Sequence, residues 1–287
     1  MRREWMSSDM PLKAAACLWA CASAVSAADG PSRIVSADLC ADAYVFALAD
    51  REAVAAVSWQ AGQTVSGAPE WALDLPRASD DAERLIALQP DLVVFGPAGA
   101  GDTARFLDRA GIARVNLQWG EDWDTVTANL RLIGAAIDEA ERAEALMTEL
   151  EARRQHLAMR AAEHGRPPSV FYLSVTGGAA GTDTLVDEAI RMAGGRNAAA
   201  EAGARGWLAA NAAWAFRVDP DLVITSYFVD GYATRNNTGA RHSAFQRLLQ
   251  DTPRIDIPAS AWSCAGPALM DAAEQIADAI DYAGQGT

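Results

Sequence analysis

Trp59-Gln60, Tyr172, Ser174 and Tyr227 each stand at or just past the end of a short β-branched run. The carboxyl ends of strands in open α/β sheets form binding crevices. Aromatic rings beside amides and hydroxyls suit a ligand with apolar faces and polar edges. Trp207 and Trp262 are further candidate plates, with ordinary packing as the competing role for each ring. Arg77, Arg205, Arg235 and Arg241 are cations able to meet anionic groups. Lys13 is the only lysine, so arginine must do nearly all cationic work in the body of the chain. Trp119 and Trp123 are candidates for a rim or for stapling their own loop. Asp38 follows the first strand and reads first as a helix cap.

Other chemistries lack their parts. Bare zinc or manganese is normally held by histidine and carboxylate groups, and the chain has only His156, His164 and His242. No metal site is therefore expected. The run Gly96 to Thr103 has the glycines of a phosphate loop, but Asp102 stands where lysine is needed. Gly177-Gly178-Ala179-Ala180-Gly181 lacks dinucleotide-binding spacing and reads as a mobile loop at a cleft. There is no nucleophile elbow, and His242-Ser243 have no orienting carboxylate nearby in sequence. Catalysis is not expected. A formal charge of −14 argues against nucleic acid, whose phosphates select clustered cations.

The elements that must position these residues alternate between strand and helix. β-Branched runs at 33–36, 54–58, 92–95, 115–117, 170–173, 222–224 and 255–257 are separated mostly by helical stretches. This predicts α/β layers with mainly parallel sheets. The segments Glu83–Val93 and Ala213–Val223 echo each other: a short helix, a Pro-Asp stop, then a buried strand opening Leu-Val. Their separation, about 130 residues, fits two similar lobes and not a solenoid. Between them, Val126, Leu130, Ile133 and Ile137 recur at helical spacing after Asp124, a candidate N-cap. Asp138 and Glu141 then suggest a capping box, opening a helix over 139–163 about 37 Å long. Gly165 and Pro167-Pro168 end it.

The first residues read as an export leader. Arg2, Arg3 and Lys13 precede a short apolar run, and Val25-Ser26-Ala27 supplies a small-residue cleavage site. Met10 is an alternative start. Leu18-Trp19-Ala20-Cys21 is similar to a lipidation box, but Trp19 is too large for its usual slot. Removal of the leader takes Cys17 and Cys21 and leaves Cys40 with Cys264. In an oxidising compartment these form either one disulfide, tying the start of the fold to its end, or two separate buried thiols.

Four segments in order carry a specific likeness. Arg33–Asp42, Glu83–Val93, Gly194-Gly195-Arg196-Asn197-Ala198 and Trp262–Pro267 resemble class III periplasmic binding proteins of ABC importers, the iron-siderophore and cobalamin group. The likeness runs from about residue 32 to 284. It implies two Rossmann-like lobes joined by a long rigid helix, with the ligand in the cleft between them. Expected boundaries are a signal peptide over 1–27, an N-terminal lobe over 28–137, the connecting helix over 138–165, a C-terminal lobe over 166–266, and a last helix and tail over 267–287. The expected cargo is a metal chelate, a ferric siderophore or cobalamin, delivered by a periplasmic monomer to an ABC transporter permease without any cofactor. Haem is the alternative, with Tyr172 or Tyr227 on the iron. A sensor docking a membrane receptor is another. Trp207 and Trp262 align near cleft-facing positions of the family. Glu83 matches the lobe-one docking glutamate; the lobe-two position is Ala213, so either another carboxylate such as Glu201 takes that role or the register of the likeness differs there.

Overall fold

The computed structural model describes residues 30–210, 213–226 and 242–284. The expected leader, Tyr227, Arg235 and Arg241 lie outside the described residues.

The first lobe is built on β1 (Ile34–Ser36), β2 (Val54–Ser58), β3 (Arg77–Ala78), β4 (Leu92–Phe95) and β5 (Ala113–Asn116). All pairs are parallel, in the order β3-β2-β1-β4-β5. Successive side chains leave a strand on opposite faces. Ile34, Leu92 and Val94 therefore pack with α1 (Leu39–Leu48) and α4 (Trp123–Ala136), while Val35, Val93 and Phe95 meet Leu85 of α2 (Ala82–Ala87) and Leu107 of α3 (Thr103–Ala110). Both faces are covered, which explains the continuous apolar runs.

The second lobe holds β6 (Ser169–Ser174), β8 (Arg196–Asn197), β10 (Leu222–Ser226) and β11 (Arg254–Asp256), again parallel, in the order β11-β10-β6-β8. Its helices are α6 (Leu185–Met192), α7 (Ala198–Glu201), α8 (Trp214–Arg217) and α9 (Ser243–Asp251). An antiparallel pair, β7 (Gly178–Ala180) and β9 (Trp207–Ala209), stands beside the sheet. The glycine-rich run expected to be a mobile loop thus supplies a paired strand. Among the described residues no helix is long and apolar enough to cross a membrane.

The Pro-Asp echo has a common structural role. Asp91 accepts the backbone N–H of Ser32 and of Arg33, at 2.8 and 3.0 Å, just ahead of β1. Asp221 accepts the N–H of Ser169 at 2.7 Å, at the start of β6. Each aspartate thereby pins the entry of its lobe's first strand beside the strand that it precedes.

Two helix starts differ from expectation. α4 begins one residue earlier than Asp124: Asp122 is the cap, accepting the Thr125 N–H at 2.7 Å. The capping box at Asp138 and Glu141 does not form. Asp138 takes a left-handed conformation (φ 62°), and the Glu139 N–H turns back to the Gly134 carbonyl at 2.7 Å. Gly134 packs so close to the next helix that a Cβ there would lie 2.5 Å from that of Ala143. This tight corner leads directly into α5 (Ala140–Glu163), about 36 Å long at its 24 residues.

α5 is clamped to the last helix, α10 (Ala268–Gly284). Arg153 donates to both oxygens of Glu274, at 2.9 and 2.7 Å, and Arg160 donates to Asp278 and Asp281, at 2.9 and 2.5 Å. One apolar core continues from the first lobe's sheet through α4, α5 and α10 to Tyr172 and Ile224 in the second. The Arg153 hydrogen bond holds the Glu274 carboxyl below its ordinary value of 4.5. A depressed carboxyl stabilises the fold above its unfolded pKa and loses that contribution as pH falls through the folded value. Glu274→Gln should cost under about 1 kcal/mol at pH 7, the pair being part-exposed. The difference from wild type should disappear well below pH 4.5. Urea denaturation at pH 7 and at low acid pH checks this; a pH-independent difference would contradict it.

Candidate binding site

In a parallel sheet the crevice opens where the strand order reverses, beyond the carboxyl ends of two neighbouring strands. In the second lobe these strands are β6 and β10, ending at Ser174 and Ser226. An 810 Å³ cavity opens there, lined among others by Tyr172, Ser174, Trp207, Trp262 and, from the first lobe, Glu121. Its volume suits a drug-sized or larger ligand.

Each wall is fixed by local structure. Tyr172 is buried in β6 and meets two indoles edge to face, Trp207 at 5.8 Å and Trp262 at 6.0 Å between centroids. These are favoured geometries for aromatic quadrupoles. Trp262 is only 4% exposed, and its Nε1–H donates to Ser226 Oγ at 3.0 Å. The segment around it is anchored to the first lobe twice: Cys264 is joined to Cys40 by a disulfide (S–S 2.04 Å), and the Tyr44 hydroxyl donates to the Ala265 carbonyl. Trp207 is 46% exposed and projects from β9. That strand is held by β7, where Gly178 allows a close approach: a Cβ would lie 2.8 Å from Ser174 Oγ, the atom that accepts the Gly178 N–H, and would push that hydroxyl aside. Asn197, in the Gly-Gly-x-Asn segment, supports β7 from behind, donating to the Ala180 carbonyl and to Asp187, both at 3.0 Å.

Glu121 spans the lobes. It sits in the loop between β5 and α4, and its two oxygens accept the Trp207 indole N–H at 3.1 and 2.8 Å. It also accepts the Leu185 N–H at 3.3 Å. Trp119, 79% exposed, joins Cys40, Pro97, Trp262 and Cys264 around a smaller adjoining space of 80 Å³.

The cavity brings together Tyr172, Ser174, Trp207 and Trp262 from the candidates named above. It does not gather the other candidates that lie among the described residues. Trp59 stands 58% exposed at the carboxyl end of β2, with Gln60 beside it, and neither lines the cavity. Buried Asp42 fixes this strand end by accepting the N–H and hydroxyl of Ser58, at 3.0 and 2.6 Å, and burial pushes the Asp42 carboxyl up. Arg77 spends its guanidinium on the carbonyls of Ala72 and Leu73, at 3.1 and 2.7 Å. Arg205 pairs with Asp183 at 2.7 Å on an exposed surface. Trp123 is buried at the start of α4, so it packs and forms no rim. Asp38 caps α1, accepting the Cys40 N–H at 2.8 Å.

His164 pairs with Asp281 at 2.9 Å, and His242 caps α9 through Nδ1. Among the described residues no three His, Cys, Asp or Glu side chains converge to hold a metal ion. Glu83 lies exposed in the first turn of α2. Glu201 is tied to Arg196 in an ion pair.

The chain belongs to the periplasmic binding protein family, in class III: the family's profile matches residues 34–256. Among solved structures it is similar to the periplasmic heme-binding protein RhuT from Roseiflexus sp. RS-1 in apo form, at 25% identity and a TM-score of 0.72, covering 88% of this chain and 99% of that one. Two others share the fold. One is the periplasmic heme-binding protein HutB of Vibrio cholerae, at 20% identity and a TM-score of 0.72, covering 86% of this chain and 98% of that one. The other is the periplasmic vitamin B12 binding protein BtuF of Vibrio cholerae, at 21% identity and a TM-score of 0.65, covering 89% and 98%. No curated protein matches the sequence. The expected mixed α/β fold with mainly parallel sheets is that of this class.

Proposed function

We propose that this protein captures a metal chelate between its lobes and delivers it to an ABC permease, with no covalent chemistry of its own. The observation that carries the reading is the cavity at the β6/β10 crevice, walled by Tyr172, Trp207 and Trp262 and closed from the opposite lobe by Glu121. Flat aromatic walls bind the apolar faces of a chelate, while hydroxyls and backbone groups fix its edges. Trp59 and Gln60, at the carboxyl end of β2 in the first lobe and outside the cavity, would meet the cargo's outer edge. Haem is a second cargo that the likeness to RhuT favours; Tyr172 or Tyr227 would face its iron.

The organisation we propose is a removed leader over 1–27, lobes over 28–137 and 166–266, a connecting helix over 138–165, and a closing helix and tail over 267–287. Such a protein works in the periplasm. Glu83 serves as the docking charge of the first lobe, setting orientation and on-rate more than affinity. With Ala213 at the matching place, the second lobe docks through another carboxylate, such as Glu201, which stays exposed in its pair with Arg196.

Trp207→Ala tests the site. The ring is half exposed, so the variant should keep its stability within about 1 kcal/mol. Chelate affinity should fall by about tenfold or more. Calorimetric titration of both proteins measures this, and unchanged affinity would remove Trp207 from the binding surface.

A further inference from the structure

Glu121 is the only charged side chain among the described residues that line the main cavity. The cavity's own donors are largely committed. The Trp207 N–H goes to Glu121 and the Trp262 N–H to Ser226. The hydroxyls of Ser174 and Thr176 share a hydrogen bond at 2.9 Å, and the Gly178 N–H is held by Ser174. A carboxylate has room for about four donors, so Glu121 retains accepting capacity beyond Trp207 and Leu185.

The surroundings reinforce this bias. A 500 Å³ space shares Glu121 with the main cavity and adds Asp122, Asp183, Asp187 and Glu188. Its cation, Arg191, is already paired with Asp187 and Glu188, and nearby Arg205 with Asp183. The Glu188 carboxyl is pushed up by burial, opposed by Arg191 and reinforced by Asp122, Asp187 and Asp124.

We propose that Glu121 sets the charge class of the cargo: the cleft selects a chelate whose rim carries hydrogen-bond donors, amide or amine, and disfavours one edged with carboxylates or other anions. The proposal rests on the chelate-capture reading. Like charges brought together in a partly desolvated cleft repel strongly, and a buried acceptor facing an acceptor is left without a partner.

Paired probes test it by calorimetry. Cyanocobalamin, neutral and amide-edged, is set against haem with its two propionates. A neutral ferric trihydroxamate is set against an anionic ferric tris-catecholate. The neutral member of each pair should bind wild type more tightly, by about tenfold or more. Glu121→Gln removes the charge but keeps an acceptor for Trp207, and should narrow each gap by improving the anionic member. Glu121→Ala should narrow it too, while loosening Trp207. Preference for the anionic probes, or gaps that persist in both variants, would overturn the charge rule and leave chelate capture standing. Failure of every chelate to bind wild type would overturn capture itself, and this proposal with it.

Discussion

Replacing Cys40 and Cys264 together by serine is expected to lower the free energy of unfolding by about 2–5 kcal/mol. The bridge joins the first turn of α1 to the segment ahead of α10, across a sequence separation of 224. Closing so long a loop removes much of the unfolded chain's freedom, roughly 5 kcal/mol in the chain-entropy account, and residual denatured structure reduces the measured figure. The native segment keeps other anchors: the Tyr44–Ala265 and Trp262–Ser226 hydrogen bonds. The double variant should therefore still fold, with its urea midpoint shifted down. Coincident midpoints for the oxidised wild type and the variant would contradict the expectation.

Trp262→Ala should have an effect of similar size for a different reason. This indole is almost completely buried between the lobes, packs on Tyr172 and donates to Ser226. Truncation leaves a cavity and an indole-sized loss of apolar burial, costing about 3–5 kcal/mol. Trp207→Ala differs because much of that ring already faces water. The two tryptophans thus separate stability from binding: Trp262→Ala should lower the unfolding midpoint and chelate affinity together, Trp207→Ala affinity alone. Trp262→Phe keeps an aromatic plate and loses chiefly one hydrogen bond, about 1 kcal/mol. Denaturation and calorimetry on the three variants check the pattern. A Trp262→Ala protein as stable as wild type would contradict the buried placement.

Much of this arrangement was legible in residue pattern because its causes are local. The runs at 54–58, 92–95 and 222–224 are β-branched and bounded by helix stops, and they form β2, β4 and the body of β10. The repeated Pro-Asp marks the strand entries of both lobes because each aspartate has the same backbone partners to satisfy. The long helix expected over 139–163 is α5, one residue shorter.

What could not be read depends on contacts distant in sequence. β7 is Gly-Ala-Ala, without a β-branched side chain, and it is a strand only because Trp207–Ala209 pairs with it. Glu121 is one carboxylate among many in an acidic chain, and its partner Trp207 lies 86 residues away. Nothing in its local pattern marks it. Arg77 and Arg205 looked available to an anion because sequence alone does not reveal the carbonyls and the aspartate that occupy them. The corner at Asp138 misled for a similar reason: close packing of α4 on α5 at Gly134 decides the turn, and Asp-x-x-Glu spacing does not.

The most direct measurement is a tryptophan-fluorescence titration of the purified protein, with inner-filter correction, against cobalamin, a panel of ferric siderophores, haem, and bare zinc, manganese and iron salts. Trp207 and Trp262 line the cavity, so an occupying chelate should change the emission. The account predicts saturable binding of a chelate with the bare ions silent. A response to a bare ion alone, or silence across the whole panel, would contradict it.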